Sequence, residues 1–141
     1  MSESIWIKLI PARIDLNEAL GFCYNDSCGA VNSFIGTVRN ATKGEAVKNL
    51  LFEAYEPMAY KELKKLATEA QRKWPIEKVC IVHRLGEVPV GEEAVVIVVA
   101  SPHRKESFKA CEFLIDQLKV TVPIWKKERL ESGEVWVSAH P

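Results

Sequence analysis

Residues 94–100 read A-V-V-I-V-V-A, and this segment decides how the rest of the chain is arranged. The run is apolar at every position, so a strand built from it needs cover on both faces, which predicts a central strand of a sheet. It leads into S-P-H-R-K at residues 101–105, where a long helix is predicted to begin. A buried strand running into a helix is therefore the expected centre of the fold.

The elements on either side of this centre predict an α+β fold with mostly antiparallel pairing. Periodicity predicts strands at residues 5–9, 28–39, 46–55, 78–85, 93–101, 120–125 and 135–137, and helices at residues 15–24, 57–74 and 102–119. The turn-forming N-A-T-K-G-E at residues 40–45 predicts that the second and third strands form a hairpin with a mobile tip. Pro123 predicts an edge strand or a bulge whose backbone is open to another chain. Without a linker-like stretch, residues 1–141 are expected to form a single domain.

The composition is that of an ordinary globular protein, 48% hydrophobic and 27% charged, with 19 basic residues balancing 19 acidic ones. A neutral chain without interleaved aromatic and basic residues disfavours a nucleic-acid-binding module. The apolar runs are too short to cross a bilayer, so no membrane association is expected. The spacing of the Cys and His residues fits no metal site, and no cofactor is expected. Reduced cysteines and an N-terminus unlike a secretory signal indicate a cytoplasmic protein.

Cationic side chains gather at both ends of the long predicted helix. His103 and Arg104 lie at its N-terminus, where free N–H groups favour an anion, so they either bind a phosphate or carboxylate or point into water. Lys119 shares a helical stripe with Cys111 and Ile115, which predicts that it emerges on the core-facing side. Arg104 and Lys119 are separated by about 22 Å at ~1.5 Å per residue, so one small ligand contacts both only if two chains share the site.

Further positive charge follows two of the predicted strands. Arg39 ends F-I-G-T-V-R beside a loop, which suits bidentate binding of a phosphate but is also common on protein surfaces. Lys126 and Lys127 follow the apolar segment after Lys119. Residue chemistry alone therefore predicts an anion-binding site rich in Lys and Arg, which a dimer interface could complete.

From about Gly29 onward, the chain resembles the large, catalytic subunit of molybdopterin synthase. The matching blocks, in family order and spacing, are F-I-G-T-V-R (34–39), F-E-A-Y-E-P-M-A (52–59), V-H-R-L-G-E-V-P-V-G-E (82–92), S-P-H-R (101–104), L-K-V-T-V-P-I-W-K-K-E (118–128) and G-E-V-W-V (133–137). The resemblance implies an α/β-hammerhead-like single domain with an additional antiparallel sheet. It also implies a central homodimer of large subunits within a heterotetramer that carries one small subunit at each end.

The activity implied by this resemblance is sulfur transfer in molybdenum cofactor biosynthesis. The substrate is cyclic pyranopterin monophosphate (precursor Z), a pterin phosphate that is converted to molybdopterin. The sulfur donor is a thiocarboxylate on the C-terminal Gly-Gly of a small ubiquitin-like sulfur-carrier subunit.

Site residues are implied by position in the matching blocks. Lys119 and Lys126 match the catalytic lysines, which neutralise charge and stabilise developing oxyanions. The implied substrate-binding residues are Phe34, Thr37, Val38, Arg39, His103, Arg104, Lys127 and Glu128. Of these, His103 and Arg104 serve the neighbouring subunit's site. Family members can carry an arginine where this chain has His140, which is left out of the site.

A competing hypothesis is a non-catalytic scaffold that binds a ubiquitin-like tail by strand addition along the edge containing Pro123. Formation of a dithiolene product from carrier and precursor would favour the enzyme. Binding without turnover would favour the scaffold.

Overall fold

The computed structural model describes residues 3–138, so His140 lies outside the described residues. The elements in chain order are β1 (Ile5–Ile10), α1 (Leu16–Cys23), β2 (Ala30–Thr37), β3 (Ala41–Thr42), β4 (Glu45–Ala54), α2 (Glu56–Lys73), β5 (Lys78–Arg84), β6 (Gly86–Pro89), β7 (Glu93–Ser101), α3 (Arg104–Thr121), β8 (Ile124–Leu130) and β9 (Gly133–Ser138). The predicted α+β class is confirmed.

Strand β7 lies inside a four-stranded sheet with the order β1-β5-β7-β2. It pairs antiparallel with β5 and β2, while β1 runs parallel to β5. Val96 and Val98 belong to an apolar cluster with α1, and Ile97 and Val99 belong to the larger cluster with α2 and α3. The central position predicted for residues 94–100 is thus confirmed, because helices cover both faces of the strand.

The first two helices begin where their sequences predict. Asp15 precedes α1, and its carboxylate accepts a hydrogen bond from the Glu18 N–H at 3.2 Å, which satisfies a free donor of the first turn. Helix α2 carries Pro57 in its first turn, where the missing N–H is not needed. Its inner face is buried, including Leu63 and Leu66.

The predicted hairpin between residues 28–39 and 46–55 is wrong. Strand β2 pairs with β7, whereas β4 belongs to a second sheet with the order β3-β4-β8-β9, in which β6 also pairs with β4. The turn itself exists, with positive φ angles at Lys43 (49°) and Gly44 (79°), but it joins β4 to the two-residue β3. Turn residues determine where a chain reverses, not which strand its flanking segment pairs with.

The start of the strand predicted at residues 120–125 is also wrong, because only its last two residues, Ile124 and Trp125, lie in a strand. Helix α3 continues to Thr121, and the Val122 N–H closes its last turn by donating to the Leu118 carbonyl at 3.2 Å. Pro123 follows, and strand β8 begins only at Ile124. The β-branched V-T-V suggests a strand, yet packing of Leu118 holds these residues in the helix up to the proline.

Strand β8 is not an edge strand. It pairs antiparallel with β4 on one side and with β9 on the other. Pro123 precedes the strand, and its carbonyl accepts a hydrogen bond from the Tyr55 N–H at 3.4 Å. The open edge predicted around Pro123 is therefore contradicted, and with it the surface that strand addition in the scaffold hypothesis requires.

Within residues 3–138, no helix is long and apolar enough to cross a membrane. The four cysteines are free thiols. Burial raises the pKa of the Cys23 and Cys80 thiols to about 12, and that of Cys111 to about 11, because the apolar surroundings disfavour the thiolate. These three thiols therefore stay protonated and serve as packing groups.

Candidate active site

Two adjoining cavities open between the end of β2, strands β4 and β8, and the last turn of α3. They share Thr37, Leu50, Lys119 and Lys126 in their walls. The first, called here the apolar cavity, has a volume of about 170 Å³, and the second, the polar cavity, has a volume of about 280 Å³. The two lysines therefore stand at the junction of an apolar and a polar compartment.

Lys119 and Lys126 come from different elements that the turn after α3 brings together. Lys119 lies in the last turn of α3 and is exposed, although it lines both cavities. Lys126 is half-buried on β8, opposite Phe52 of β4. The helical stripe that contains Cys111 and Lys119 was expected to face the core. Cys111 is buried, but Lys119 is exposed and lies at the border of the buried face.

The pKa of Lys126 is lowered from that of an ordinary lysine. Burial is the main cause, because desolvation disfavours the ammonium form. The Glu128 carboxylate raises the pKa, while the positive charges of Lys119 and Arg39 lower it. Lys126 therefore gives up its proton more readily than an exposed lysine, as a proton donor and acceptor requires.

Arg39 lines the polar cavity and owes its position to the residue before it. The Val38 side chain is buried, its N–H donates to the Glu92 carbonyl at 3.1 Å, and its carbonyl accepts from the Gly91 N–H at 2.8 Å. With its amide already bonded, Val38 anchors the chain, and the exposed Arg39 side chain that follows lines the polar cavity.

Strand alternation separates the charged residues of β8. Lys126 and Glu128 face the polar cavity. Lys127 lies on the opposite face, where its Nζ is 3.3 Å from Glu134 Oε1 and 4.5 Å from the centre of the Trp136 ring. The structure therefore does not bring Lys127 to the cavities, and its contacts hold β9 against β8.

Phe34 and Gly36 line the apolar cavity from β2. A Cβ atom on Gly36 would lie 2.8 Å from Val95 Cγ1 and 3.3 Å from the Phe34 ring. Glycine is thus required where β2 meets β7, next to the register shift between Gly36 and Thr37.

His103 and Arg104 lie at the other end of α3, as predicted. They line a separate open cavity of about 370 Å³ together with Gly29, Pro102 and Lys105. Both side chains are exposed, and the His103 carbonyl accepts a hydrogen bond from the Ser101 hydroxyl at 2.6 Å. At ~1.5 Å per residue, α3 places them about 22 Å from Lys119, so one chain does not bring the two groups together.

Sequence reasoning did not identify His83, Thr42 or Leu50 as site residues. His83 lines the apolar cavity from β5, and Thr42 lines the polar cavity from β3. Of the three, only His83 had a signal in the sequence, as the one polar residue of V-C-I-V-H at residues 79–83. A polar group buried in an apolar strand is costly, so its presence there suggests a role. Among the residues that the structure describes, no group of three or more His, Cys, Asp or Glu could hold a metal ion.

The fold and the paired cavities define an α+β protein with a site rich in Lys and Arg side chains. A family model described as "MoaE protein" matches residues 9–121, so the chain belongs to the MoaE family. The family resemblance expected from the sequence is confirmed.

Proteins of known description are similar to this chain over most of its length. Proteins described as molybdopterin synthase catalytic subunit from Drosophila mojavensis and Arabidopsis thaliana are 45% and 44% identical to it, over 92% and 88% of the chain. The chain spans only 36% and 63% of those two proteins. The crystal structure of molybdopterin synthase from Staphylococcus aureus matches with a TM-score of 0.89 and 41% identity, covering 92% of this chain and 95% of that one.

Proposed function

We propose that this protein is the catalytic subunit of a molybdopterin synthase, which transfers sulfur to cyclic pyranopterin monophosphate and so forms the dithiolene of molybdopterin. The observation that carries the proposal is the meeting of Lys119, Lys126 and Arg39 at two joined cavities. Membership of the MoaE family supports it.

The polar cavity suits the phosphate-bearing substrate. Arg39 offers a planar set of donors for bidentate binding of a phosphate, and Thr42 adds a hydroxyl donor beside it. Lys119 and Lys126 neutralise the negative charge that develops on oxygen when sulfur is transferred, which lowers the energy of the transition state. The lowered pKa of Lys126 suits it to proton transfer in the same step.

The sulfur donor in this proposal is a small ubiquitin-like carrier subunit that ends in a Gly-Gly thiocarboxylate. Its negative terminus requires positive charge at the point where sulfur is delivered, which is where the two lysines stand. The free thiols among the described residues agree with a reducing, cytoplasmic location for the assembly.

The proposed assembly is a homodimer within a heterotetramer, and the position of His103 and Arg104 supports the dimer. They lie at the opposite end of α3 from Lys119, in a separate cavity. In a dimer, these two residues serve the substrate phosphate in the site of the other copy.

Replacement of Lys119 tests the proposed activity. Lys119→Ala is expected to abolish dithiolene formation from precursor Z and thiocarboxylated carrier while leaving the thermal unfolding midpoint unchanged, because the side chain is exposed. Lys109→Ala is the matched control, since Lys109 is an exposed lysine on the same helix that lines neither cavity. Full turnover by Lys119→Ala would reject the mechanism. If the unchanged protein binds the carrier but shows no turnover, the result would favour a scaffold.

A further inference from the structure

The wall of the apolar cavity contains the imidazole of His83. Phe34, Phe52 and Leu118 supply aromatic and aliphatic surface, and Lys119 and Lys126 stand at the junction with the polar cavity. His83 is 4% exposed and belongs to β5, where it pairs with Leu9 of β1 and Val95 of β7. Strands on both sides therefore hold its backbone in place.

The hydrogen bonding of His83 defines the state of its ring. Nδ1 lies 2.8 Å from the Arg84 carbonyl oxygen, and because a carbonyl oxygen only accepts, Nδ1 carries the hydrogen. Burial lowers the pKa of His83 to about 4, so the ring is neutral at pH 7. Nε2 is then left with a lone pair that can accept a hydrogen bond.

The orientation of the ring is held by a second contact. The Phe52 and His83 rings meet edge to face, with centroids 4.9 Å apart and planes at 70°. Within residues 3–138, the hydrogen bond at Nδ1 is the only one that the ring makes. His83 thus lines the apolar cavity with a fixed ring whose Nε2 has no partner among the described residues, and such an acceptor favours a ligand that donates an N–H or O–H.

We infer that His83 is a positioning residue whose Nε2 accepts a hydrogen bond from a backbone N–H of the carrier's Gly-Gly tail in the apolar cavity. The inference rests on the proposed function and adds the group that aligns the donor peptide. His83 acts on the reaction by holding that peptide, and it takes no part in the transfer of sulfur.

The tail fits this cavity better than the pterin does. The substrate phosphate requires the charged and hydroxyl groups of the polar cavity, including Arg39 and Thr42. Glycine residues, which have no side chains, can lie along the apolar cavity with their backbone close to its walls. A tail lying there places its terminal thiocarboxylate toward Lys119 and Lys126, at the junction with the substrate.

The first test uses the protein unchanged. Two semisynthetic carriers, each with an ester oxygen in place of the N–H of one of the last two glycines, are compared with the normal carrier in carboxylate form. The Kd of one ester carrier is expected to rise about 5- to 10-fold, the range for the loss of one hydrogen bond. Equal affinity for all three carriers would overturn the inference, and binding is measured without turnover, so this outcome differs from a failure of the proposed activity.

The second test replaces the imidazole. His83→Phe fills the space but has no acceptor, whereas His83→Gln can place an amide oxygen near the position of Nε2. His83→Phe is expected to raise the KM for thiocarboxylated carrier about 5- to 10-fold with kcat and the KM for precursor Z unchanged, and His83→Gln is expected to restore most of the loss. His83→Phe should also bind the normal and ester carriers equally. An effect on the KM for precursor Z instead would assign His83 to the pterin and overturn the inference.

Discussion

At the scale of the single residue, the chemistry of Lys126 is set by its neighbours. Burial and the positive charges of Lys119 and Arg39 lower its pKa, and the Glu128 carboxylate works in the opposite direction. A phosphate or thiocarboxylate bound between these cations would favour the ammonium form again. Ligand binding and the protonation of Lys126 are therefore coupled.

The coupling of these charges can be measured by competitive acetylation across a range of pH. We expect the half-maximal rate for Lys126 at a lower pH than for the lysine of an unstructured reference peptide, because a lowered pKa leaves more free amine. Arg39→Ala should raise that pH, since it removes a positive charge, and Glu128→Gln should lower it further. Peptide mass spectrometry gives the rate at Lys126, and a profile identical to that of the reference peptide would contradict the prediction.

His83 links stability to pH. The pKa of an ordinary histidine is 6.5, and that of His83 in the folded protein is about 4. Between these values the unfolded chain binds a proton that the folded protein excludes, so the free energy of unfolding falls as the pH falls. The contribution of the neutral His83 ring to the free energy of unfolding is about 3 kcal/mol. It is fully present above pH 6.5 and lost below pH 4.

Urea unfolding at several pH values tests this linkage. The free energy of unfolding of His83→Phe is expected to fall by about 3 kcal/mol less than that of the unchanged protein between pH 7 and pH 4. The carboxylates titrate in both proteins, so the difference between the two curves isolates the imidazole. Parallel curves would show that His83 is already charged or accessible in the folded state.

At the scale of the element, the close approach of β2 and β7 shapes the apolar cavity. Gly36 pairs with Val95, and the register shifts at the next residue, Thr37. The shift leads the chain out of the sheet to the buried Val38 and the exposed Arg39. One glycine thus permits the packing of two strands beside the site.

A pair of substitutions tests this packing. Gly36→Ala is expected to lower the free energy of unfolding by about 1–3 kcal/mol, because its Cβ would lie 2.8 Å from Val95 Cγ1. Val95→Ala removes that atom, so the double variant should lose at least about 1 kcal/mol less than the sum of the two single losses. Additive losses, measured by urea unfolding, would mean that this contact does not limit the packing.

At the scale of the whole molecule, the two groups of cations lie at opposite ends of α3. His103 and Arg104 are in one cavity and Lys119 is in two others. The proposed dimer joins them, each copy supplying His103 and Arg104 to the other.

Mixing two inactive variants tests whether the site is shared. Lys119→Ala and Arg104→Ala homodimers should each be inactive, whereas subunit exchange between equal amounts should restore about a quarter of the full activity. Random exchange makes half of the dimers contain one copy of each variant. In such a dimer, one of the two sites combines the unchanged Lys119 of one copy with the unchanged Arg104 of the other, and the second site lacks both. No recovery after exchange, verified by native mass spectrometry, would place each complete site within one chain.

The sequence by itself determined the elements whose patterns are local. The apolar run at 94–100 identified the central strand, Asp15 and Pro57 marked helix starts, and helix geometry separated Arg104 from Lys119. The matching blocks also identified Lys119, Lys126 and Arg39, which the structure brings together. Each of these features depends on neighbours within a few turns of the chain or on a recognisable block.

The tertiary structure alone decided which strands pair and which side chains face the cavities. Strand β2 pairs with β7 rather than with β4, and β8 is enclosed between β4 and β9, because distant segments compete to bury apolar surface and satisfy backbone groups. The same pairing turns Lys127 away from the site and places His83 within it. Pairing between distant strands leaves no local pattern, and so the chain's own order of residues could not reveal it.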